Sequence, residues 1–283
     1  MAPDASQRPR RSLLYVPASN SRALEKARGL DSDGVIVDLE DAVAPDAKAA
    51  ARDAAVAAAG AGFGGREAVV RCNGLDTPWG QADLLALARI EPDGVLAPKV
   101  SSAAEVRAYD RALAGRTRLW IMIETAQALL NLREIVQTAA STRLEALVLG
   151  PNDLSAELGL KGSMARAGHR TAMFQMRVAA TAHGLSVLAG VFNAIEDTAG
   201  FEAECVEEAG FGMDGKTLIH PSQIEPANRA FSPSPEELAW ARAVVAAFEA
   251  PEAEGQGAIR LDGKMVERLH LAQARRLLAR ASL

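Results

Sequence analysis

The chain alternates short aliphatic segments with alanine-rich segments along most of its length. The aliphatic segments are nearly continuous in apolar residues, which is typical of parallel strands covered by helices. Eight of them have the length of a β-strand, at residues 12–16, 34–38, 68–71, 94–97, 119–123, 146–149, 186–189 and 217–219. Eight strand–helix units predict a (β/α)8 barrel, an α/β TIM-barrel fold. A doubly wound open sheet is the alternative, but it usually has fewer strands and a glycine-rich phosphate loop, which we do not find.

Several predicted helices have recognisable start signals. Ser19 or Asn20 can cap the first helix, and Pro45 suits the start of the second. Ser101, with Glu105 nearby, suits the start of the fourth. These signals place helices between the predicted strands, as the barrel requires.

The residues beyond the last strand predict a C-terminal helical extension. We assign residues 11–231 to the catalytic barrel and residues 232–283 to the extension. Ser234 and Pro235 predict the start of an amphipathic helix. Residues 250–260 have the composition of a flexible linker, and a last amphipathic helix is expected from about residue 262 onward. This extension either packs on its own barrel or covers the site of a neighbouring subunit.

Composition argues against several classes of partner. The net charge is −5 at pH 7 and aromatic residues make up 4% of the chain, so we expect no nucleic-acid partner. No apolar run approaches the roughly 20 residues that span a bilayer, so we expect no membrane partner. The two cysteines have no metal-ligand spacing and the first residues lack the apolar stretch of a signal peptide, which together favour the cytoplasm.

Polar side chains follow the ends of most predicted strands. In a (β/α)8 barrel the active site lies at the carboxyl ends of the strands, so these side chains are expected to meet. They are Tyr15, Asp38, Glu40, Asp41, Arg71, Asn73, Lys99, Glu124, Asn152, Asp153 and Asn193.

Two of these residues form a candidate metal site. Glu124 and Asp153 follow two successive predicted strands, and a hard cation such as Mg2+ prefers a few such oxygen ligands. Either carboxylate alone could simply favour a helix start, but the two together with Arg71 favour metal chemistry. Lys99 and Arg71 are the cations available to offset the acidic residues. A Schiff-base role for Lys99 is a less favoured alternative.

Seven short motifs occur in an order that resembles a known family. They are RSLLYVPASN, DGVIVDLEDAV, AVVRCNG, APKV, IMIETAQAL, GPNDLSAELG and GMDGKTLIHPSQI. The chain is similar over essentially its whole length to the HpcH/HpaI aldolase and citrate lyase superfamily, in its citrate lyase β-subunit-like branch. The resemblance implies a Mg2+-dependent enzyme that cleaves or forms a carbon–carbon bond in a 3-hydroxyacyl thioester, usually with coenzyme A. Citryl, malyl, β-methylmalyl and citramalyl thioesters are the expected substrates, and a homotrimer or hexamer is the expected assembly.

The resemblance also implies roles for individual residues. Glu124 and Asp153 match the metal ligands, and Arg71 matches the arginine that binds substrate. Their place on the same rim, and not the resemblance, predicts that Asp38 and Glu40 order metal-bound waters or orient Arg71, with Asp38 joining Arg71 in catalysis. Substrate binding is expected to involve Arg71, Glu124, Glu40 and Lys99. The C-terminal segment departs from the pattern, because Glu267 stands where the family has an aspartate that reaches a neighbouring subunit's site as a catalytic acid or base.

Two other functional classes remain open from the sequence. The first is a metal-dependent pyruvate aldolase that acts on free hydroxy-oxo acids, although such enzymes usually use an early histidine and this chain has none before His169. The second is a non-catalytic relative that has kept the fold. The glutamate at position 267, in place of the family's aspartate, leaves this class open. A β subunit of a citrate lyase complex, taking its thioester from a carrier protein, is a variant of the lyase interpretation.

Overall fold

The computed structural model describes residues 8–250 and 255–281. Eight parallel strands form a closed barrel in sequence order, and the first strand pairs with the eighth. The predicted (β/α)8 barrel is therefore confirmed. The strands are β1 (Ser12–Pro17), β2 (Gly34–Asp38), β3 (Glu67–Arg71), β4 (Gly94–Ala97), β5 (Arg118–Ile123), β6 (Leu144–Leu149), β7 (Ser186–Ala189) and β8 (Gly215–Leu218).

Helices follow the strands along the chain, with two or more after some of them. They are α1 (Ser21–Ala27), α2 (Lys48–Ala61), α3 (Gly80–Leu87), α4 (Ala103–Ala112), α5 (Ala126–Leu130), α6 (Leu132–Gln137), α7 (Pro151–Leu158), α8 (Ser163–His183), α9 (Thr198–Gly210) and α10 (Ile224–Ala230). Asn20 caps α1, and a short 3-10 helix at Pro45–Ala47 leads into α2. The cap of α4 is Ser102, one residue after the predicted Ser101, because its hydroxyl accepts the N–H of Glu105.

The barrel interior is filled by side chains from alternate positions of the strands. One buried cluster consists of Leu13, Ile36, Val69, Leu96, Trp120, Met122, Ala146, Val148 and Leu188. At the amino ends of the strands, buried Arg10 donates two hydrogen bonds to Glu67, at 2.7 and 2.8 Å, and lies over the Trp120 ring. The packed interior leaves the carboxyl ends of the strands as the place for chemistry.

The chain divides into two compact units, and the barrel lies in the unit formed by Arg10–Asn228. The residues from Arg229 onward belong to the other unit, which contains α11 (Pro235–Glu249), β9 (Ala258–Leu261), β10 (Lys264–Glu267) and α12 (Arg268–Ala281). Ser234 caps α11 as predicted. Ala241, Val244, Val266, Leu271 and Ala274 form the core of this unit.

The prediction for residues 250–267 was wrong in two respects. Residues 258–261 and 264–267 form an antiparallel hairpin, so the linker is shorter than expected and the last helix begins at Arg268. The turn residues Asp262 and Gly263 have φ values of +48° and +78°, which suit a two-residue hairpin turn. Residues 251–254 of the predicted linker lie outside the described residues. Within the described ranges, no helix is both long enough and apolar enough to cross a membrane.

Candidate active site

The carboxyl ends of the strands bring most of the predicted residues to one mouth of the barrel. Asp38 is the last residue of β2, Arg71 is the last of β3, and Glu124 follows β5 directly. A cavity of 370 Å³ opens there. Its lining includes Tyr15, Asp38, Asp41, Ala42, Arg71, Met122, Asn152, Asp153, Val191, Asn193, Thr217 and Ile219.

Arg71 is held by two acidic side chains. Its Nε and Nη2 atoms each donate to one oxygen of Asp38 at 2.7 Å, in the bidentate geometry that orients a guanidinium most firmly. Its Nη1 atom forms an ion pair with Glu40 Oε2 at 2.8 Å. Desolvation works against the charge of this buried guanidinium, but the Asp38 carboxylate outweighs it and raises the pKa of Arg71 well above its ordinary value. We call Arg71, Asp38 and Glu40 the arginine clamp.

The clamp rests on an aromatic ring and a thioether. The Arg71 guanidinium lies 5.0 Å from the centre of the Tyr15 ring, and its Nη1 atom lies 3.7 Å from Met122 Sδ. Burial raises the pKa of the Tyr15 hydroxyl far above its ordinary value, so Tyr15 stays protonated. These contacts fix the plane of the guanidinium against the cavity wall.

Both carboxylate oxygens of Asp38 accept hydrogen bonds. Besides the two bonds from Arg71, its Oδ1 atom accepts the N–H of Glu40 at 2.9 Å. The side chain is 2% exposed. This arrangement supports a role for Asp38 in orienting Arg71.

Lys99 brings a second cation to the acidic cluster. Its Nζ atom lies 3.2 Å from Glu40 Oε1, 3.9 Å from Asp41 Oδ1 and 3.7 Å from Asp153 Oδ1. Its backbone has φ +54°, a left-handed conformation that is uncommon for a residue with a side chain. In this conformation the Lys99 N–H donates to Glu124 Oε1 at 2.8 Å. Both the backbone N–H and the ammonium group of Lys99 therefore contact carboxylates of this cluster.

Glu124 is buried at the carboxyl end of β5, with 1% exposure. Its Oε2 atom is buried and has no hydrogen-bond partner among the described residues. Burial is the main cause that raises the pKa of Glu124 to about 7, with nearby Glu40 and Asp153 acting in the same direction. A buried carboxylate oxygen without a partner is costly unless a cation or a proton occupies it.

Gly150 explains how Glu124 fits beside the β6–α7 turn. A Cβ atom at Gly150 would lie 2.2 Å from Glu124 Oε2 and 2.5 Å from Glu124 Cβ. No side chain can occupy that space without moving the carboxylate. The glycine is therefore required by the close approach of Glu124.

The donor set suits a divalent cation with oxygen ligands. Asp153 lies in the first turn of α7, and its side chain is 39% exposed at the cavity. Among the described residues, no three His, Cys, Asp or Glu side chains gather in the arrangement of a closed metal site. Two carboxylates with open positions fit Mg2+, which keeps several ligand positions for water and substrate.

Two amide side chains of the rim contact each other. Asn193 Nδ2 donates to Asn152 Oδ1 at 2.7 Å. Both residues also line a smaller cavity of 230 Å³, together with Arg166, His169, Glu204 and Glu208. The amide pair thus lies between the mouth and this neighbouring cavity.

Glu267 is the predicted site residue that the barrel does not supply. It ends β10 in the other unit, where its N–H donates to His270 Nδ1 at 2.9 Å. The predicted cluster in the barrel is thus Arg71, Asp38, Glu40, Lys99, Glu124 and Asp153.

Two positions at the site, Lys48 and Gly150, were not predicted from the sequence. Lys48 is the first residue of α2 and is buried behind the clamp, where its ammonium contacts the chain between Asp38 and Asp41. Its position was detectable, because Lys48, Ala51 and Ala55 share the buried stripe of α2. Gly150 had no comparable sequence pattern, because its close approach to the Glu124 carboxylate can be recognised only from the structure.

Comparisons with known proteins agree with this geometry. The family model described as HpcH/HpaI aldolase/citrate lyase matches residues 11–221. The chain belongs to this family. A (3S)-malyl-CoA thioesterase of Cereibacter sphaeroides is 49% identical over 96% of this chain and 95% of its own length. An L-malyl-CoA/beta-methylmalyl-CoA lyase of the same species is 34% identical over 100% of this chain and 98% of its own length.

A solved structure of another family member is similar throughout. It is the protein CitE from Mycobacterium tuberculosis in complex with magnesium, acetoacetate and coenzyme A. That chain is 33% identical, with a TM-score of 0.80 over 99% of this chain and 100% of its own length. The barrel and its mouth are therefore those of a citrate lyase β-subunit-like family member.

Proposed function

We propose that the protein is a Mg2+-dependent carbon–carbon lyase that acts on a 3-hydroxyacyl-CoA thioester, with a malyl thioester as the leading substrate. The observation that carries the proposal is the arginine clamp near the buried Glu124 Oε2 atom, which has no hydrogen-bond partner in the part of the chain that the structure describes. The lyase and thioesterase relatives support the malyl group, and the magnesium and coenzyme A of the M. tuberculosis structure support the cofactor and the thioester.

The cation would be held by Glu124 and Asp153. Mg2+ supplies a Lewis acid that polarises a carbonyl oxygen and stabilises negative charge on oxygen. Glu124 is held in place for this by the Lys99 N–H and by the close approach of Gly150. Asp153 brings the second carboxylate from the first turn of α7.

Arg71 would bind a carboxylate or the thioester oxygen of the substrate. Its Nε and Nη2 atoms are taken by Asp38, so its Nη1 side is the one left to face the cavity beside Glu40. In retro-Claisen cleavage of a malyl thioester, the carbinol loses its proton and the C2–C3 bond breaks. Glyoxylate leaves, and the electron pair passes to the thioester enolate. A guanidinium placed beside the thioester oxygen stabilises the negative charge that develops there as the enolate forms. Such a fixed hydrogen-bond donor commonly lowers the activation free energy by several kcal/mol.

The enolate must take up a proton at carbon to give acetyl-CoA. We propose that Glu267 of a neighbouring copy of the chain supplies this acid, in a homotrimer or hexamer. Its position in the GKM-containing segment, where the family has an aspartate, supports this assignment. The longer side chain shifts the carboxyl group by about 1 Å, a displacement that matters in catalysis unless the pocket has adapted.

A second candidate function is hydrolysis of the same thioester. The relatives at 48–49% identity are malyl-CoA thioesterases, and that observation favours it. Here water adds to the thioester carbonyl and the coenzyme A thiol leaves, which gives malate and free coenzyme A. The same cation and arginine clamp would serve both reactions, because both place negative charge on the thioester oxygen.

The test is to incubate purified protein and Mg2+ with citryl-, malyl-, β-methylmalyl- and citramalyl-CoA and to identify the products. Glyoxylate with acetyl-CoA from malyl-CoA identifies a lyase, and malate with free coenzyme A identifies a thioesterase. We expect Glu124→Ala to abolish either reaction and Glu134→Ala, on the exposed face of α6, to leave it unchanged. Activity that survives Glu124→Ala or chelation of Mg2+ would refute the proposed metal site.

A further inference from the structure

Lys48 is a buried lysine whose ammonium group is fully used inside the protein. Its Nζ atom donates to the backbone oxygens of Leu39 and Glu40 and to Asn73 Oδ1, each at 2.7 Å. The residue is 6% exposed. An ammonium has three N–H donors, so this arrangement leaves none for a substrate.

The carbonyls that Lys48 binds belong to the segment that carries the clamp. Leu39 and Glu40 directly follow Asp38, and the Glu40 side chain forms ion pairs with Arg71 Nη1 and Lys99 Nζ. Without Lys48, the Leu39 carbonyl would lose its ammonium donor at a buried position, whereas the Glu40 carbonyl would keep the N–H of Val43 at 3.0 Å. Lys48 therefore fixes the backbone from which the Glu40 carboxylate reaches Arg71.

A series of polar contacts continues from Lys48 through Asn73 to Asp83 and Arg52. Asn73 donates its backbone and side-chain N–H groups to Asp83 Oδ2, at 3.0 and 2.6 Å. Asp83 Oδ1 accepts from Arg52 Nε at 2.6 Å. Lys48 also lies 5.3 Å from the centre of the Trp79 ring. These contacts link α2 and α3 to the ends of β2 and β3.

We infer that Lys48 is a positioning residue for the arginine clamp, acting through the carbonyls of Leu39 and Glu40 to set the Glu40 carboxylate against Arg71. This inference rests on the proposed function insofar as the clamp binds substrate. Lys48 does not line the mouth, and its donors point away from the cavity into the loop and Asn73. Its effect on the reaction is therefore indirect.

Lys48→Met tests the inference, with Lys216→Met as a matched control. Lys216 is likewise buried and donates three hydrogen bonds, but to Glu204 and Glu208 of α9, away from the clamp. Both variants are expected to lower the melting temperature. Only Lys48→Met is expected to lower kcat/KM, by roughly 10- to 100-fold, as a small misplacement of a substrate-binding group does.

A double-mutant cycle with Glu40→Gln separates positioning from general damage. If Lys48 acts through Glu40, adding Lys48→Met to the Glu40→Gln variant should lower kcat/KM by less than about threefold beyond the effect of Glu40→Gln alone. The same cycle is measured on the Kd of oxalate in the presence of Mg2+, by calorimetry. Oxalate presents a carboxylate to Arg71 without turnover, so this readout is independent of which thioester is the substrate.

Two outcomes would overturn the inference. The first is equal loss of kcat/KM in the Lys48 and Lys216 variants. The second is independent, multiplicative effects of Lys48→Met and Glu40→Gln on both kcat/KM and oxalate binding. A wild-type protein that binds oxalate with Mg2+ but cleaves no thioester would count against the proposed function and leave the cycle on oxalate to decide the role of Lys48.

Discussion

At the scale of single residues, the site depends on groups whose space and charge are fixed by their neighbours. Glu124 is the central example, because other elements supply its backbone donor at Lys99 and its space beside Gly150. Its buried Oε2 atom has no hydrogen-bond partner within the described ranges. A carboxylate constrained in this way is ready for a cation without rearrangement.

Gly150→Ala is expected to weaken Mg2+ binding by roughly tenfold or more, since the new methyl group would displace the Glu124 carboxylate from its ligand position. Calorimetric titration with Mg2+ measures this. Gly210→Ala is the control, because a Cβ atom at Gly210 meets nothing within 4 Å. Unchanged Mg2+ affinity in Gly150→Ala would show that Glu124 is not held where we place it.

The raised pKa of Glu124, about 7, predicts a proton linked to Mg2+ binding. Below about pH 7 the metal-free carboxyl group holds a proton that Mg2+ must displace, so affinity rises with pH and levels off above that value. Calorimetry at pH 6 in two buffers of different ionisation enthalpy should detect the released proton. At pH 8.5 Mg2+ binding should release almost no proton. Glu124→Gln should abolish the proton release at both pH 6 and pH 8.5.

At the scale of secondary-structure elements, the turn after β4 stores backbone strain at the site. Lys99 adopts φ +54°, which costs a residue with a Cβ atom roughly 1 kcal/mol relative to glycine. We expect Lys99→Gly to be more stable to urea than Lys99→Ala by about that amount, although both lose the ammonium group. Equal stability of the two variants would contradict a strained turn.

The β9–β10 hairpin makes a separate prediction. Gly263, at φ +78°, completes its two-residue turn, so Gly263→Ala should destabilise the hairpin. Hydrogen exchange should accelerate at the amides of β9 and β10 and stay unchanged in β1–β8. Asp262→Asn is the matched control, because asparagine tolerates the left-handed conformation at φ +48°.

The barrel was predictable because its strands are continuous apolar runs with clear ends. The predicted limits of β2, β4 and β7 agree with the structure at every residue. Those of β1, β3, β5 and β6 differ by one or two residues at one end, and those of β8 differ at both ends. The hairpin was missed because β9 and β10 have only 4 residues each and lie between a linker-like segment and a helix. Its signal was the Asp-Gly pair, which the amphipathic pattern of the following helix obscured.

At the site too, features with a local sequence pattern were predictable and features that depend on three-dimensional distances were not. Strand-end position alone predicted that Arg71, Glu124 and Asp153 would share a mouth, because parallel strands place their carboxyl ends together. The pairing of Arg71 with Asp38 and the left-handed Lys99 backbone depend on distances between elements. Such distances are not encoded in any local pattern, and the roles assigned to these residues stay predictions until tested.

At the scale of the whole molecule, the proposed role of Glu267 predicts complementation between subunits. Glu124→Ala and Glu267→Ala should each be strongly impaired alone. If each site combines the barrel of one subunit with Glu267 of another, co-expression should restore roughly a quarter of the sites by random mixing. Malyl-CoA turnover of the co-purified assembly measures this, and a monomer or the absence of any recovery would contradict a shared site.

The placement of the cavity walls has a consequence for the evolution of substrate range. Asp38 and Arg71 end β2 and β3, Glu124 directly follows β5, and Asp153 lies in the first turn of α7, whereas Ala42, Val191 and Ile219 of the cavity wall lie after the ends of β2, β7 and β8. If the proposed function holds, substitutions at these wall positions would widen or narrow the space for the acyl group without altering the cation site or the arginine clamp. On the proposed function, a change in the accepted acid therefore requires only these wall positions to change, and the cation site and the arginine clamp can stay as they are.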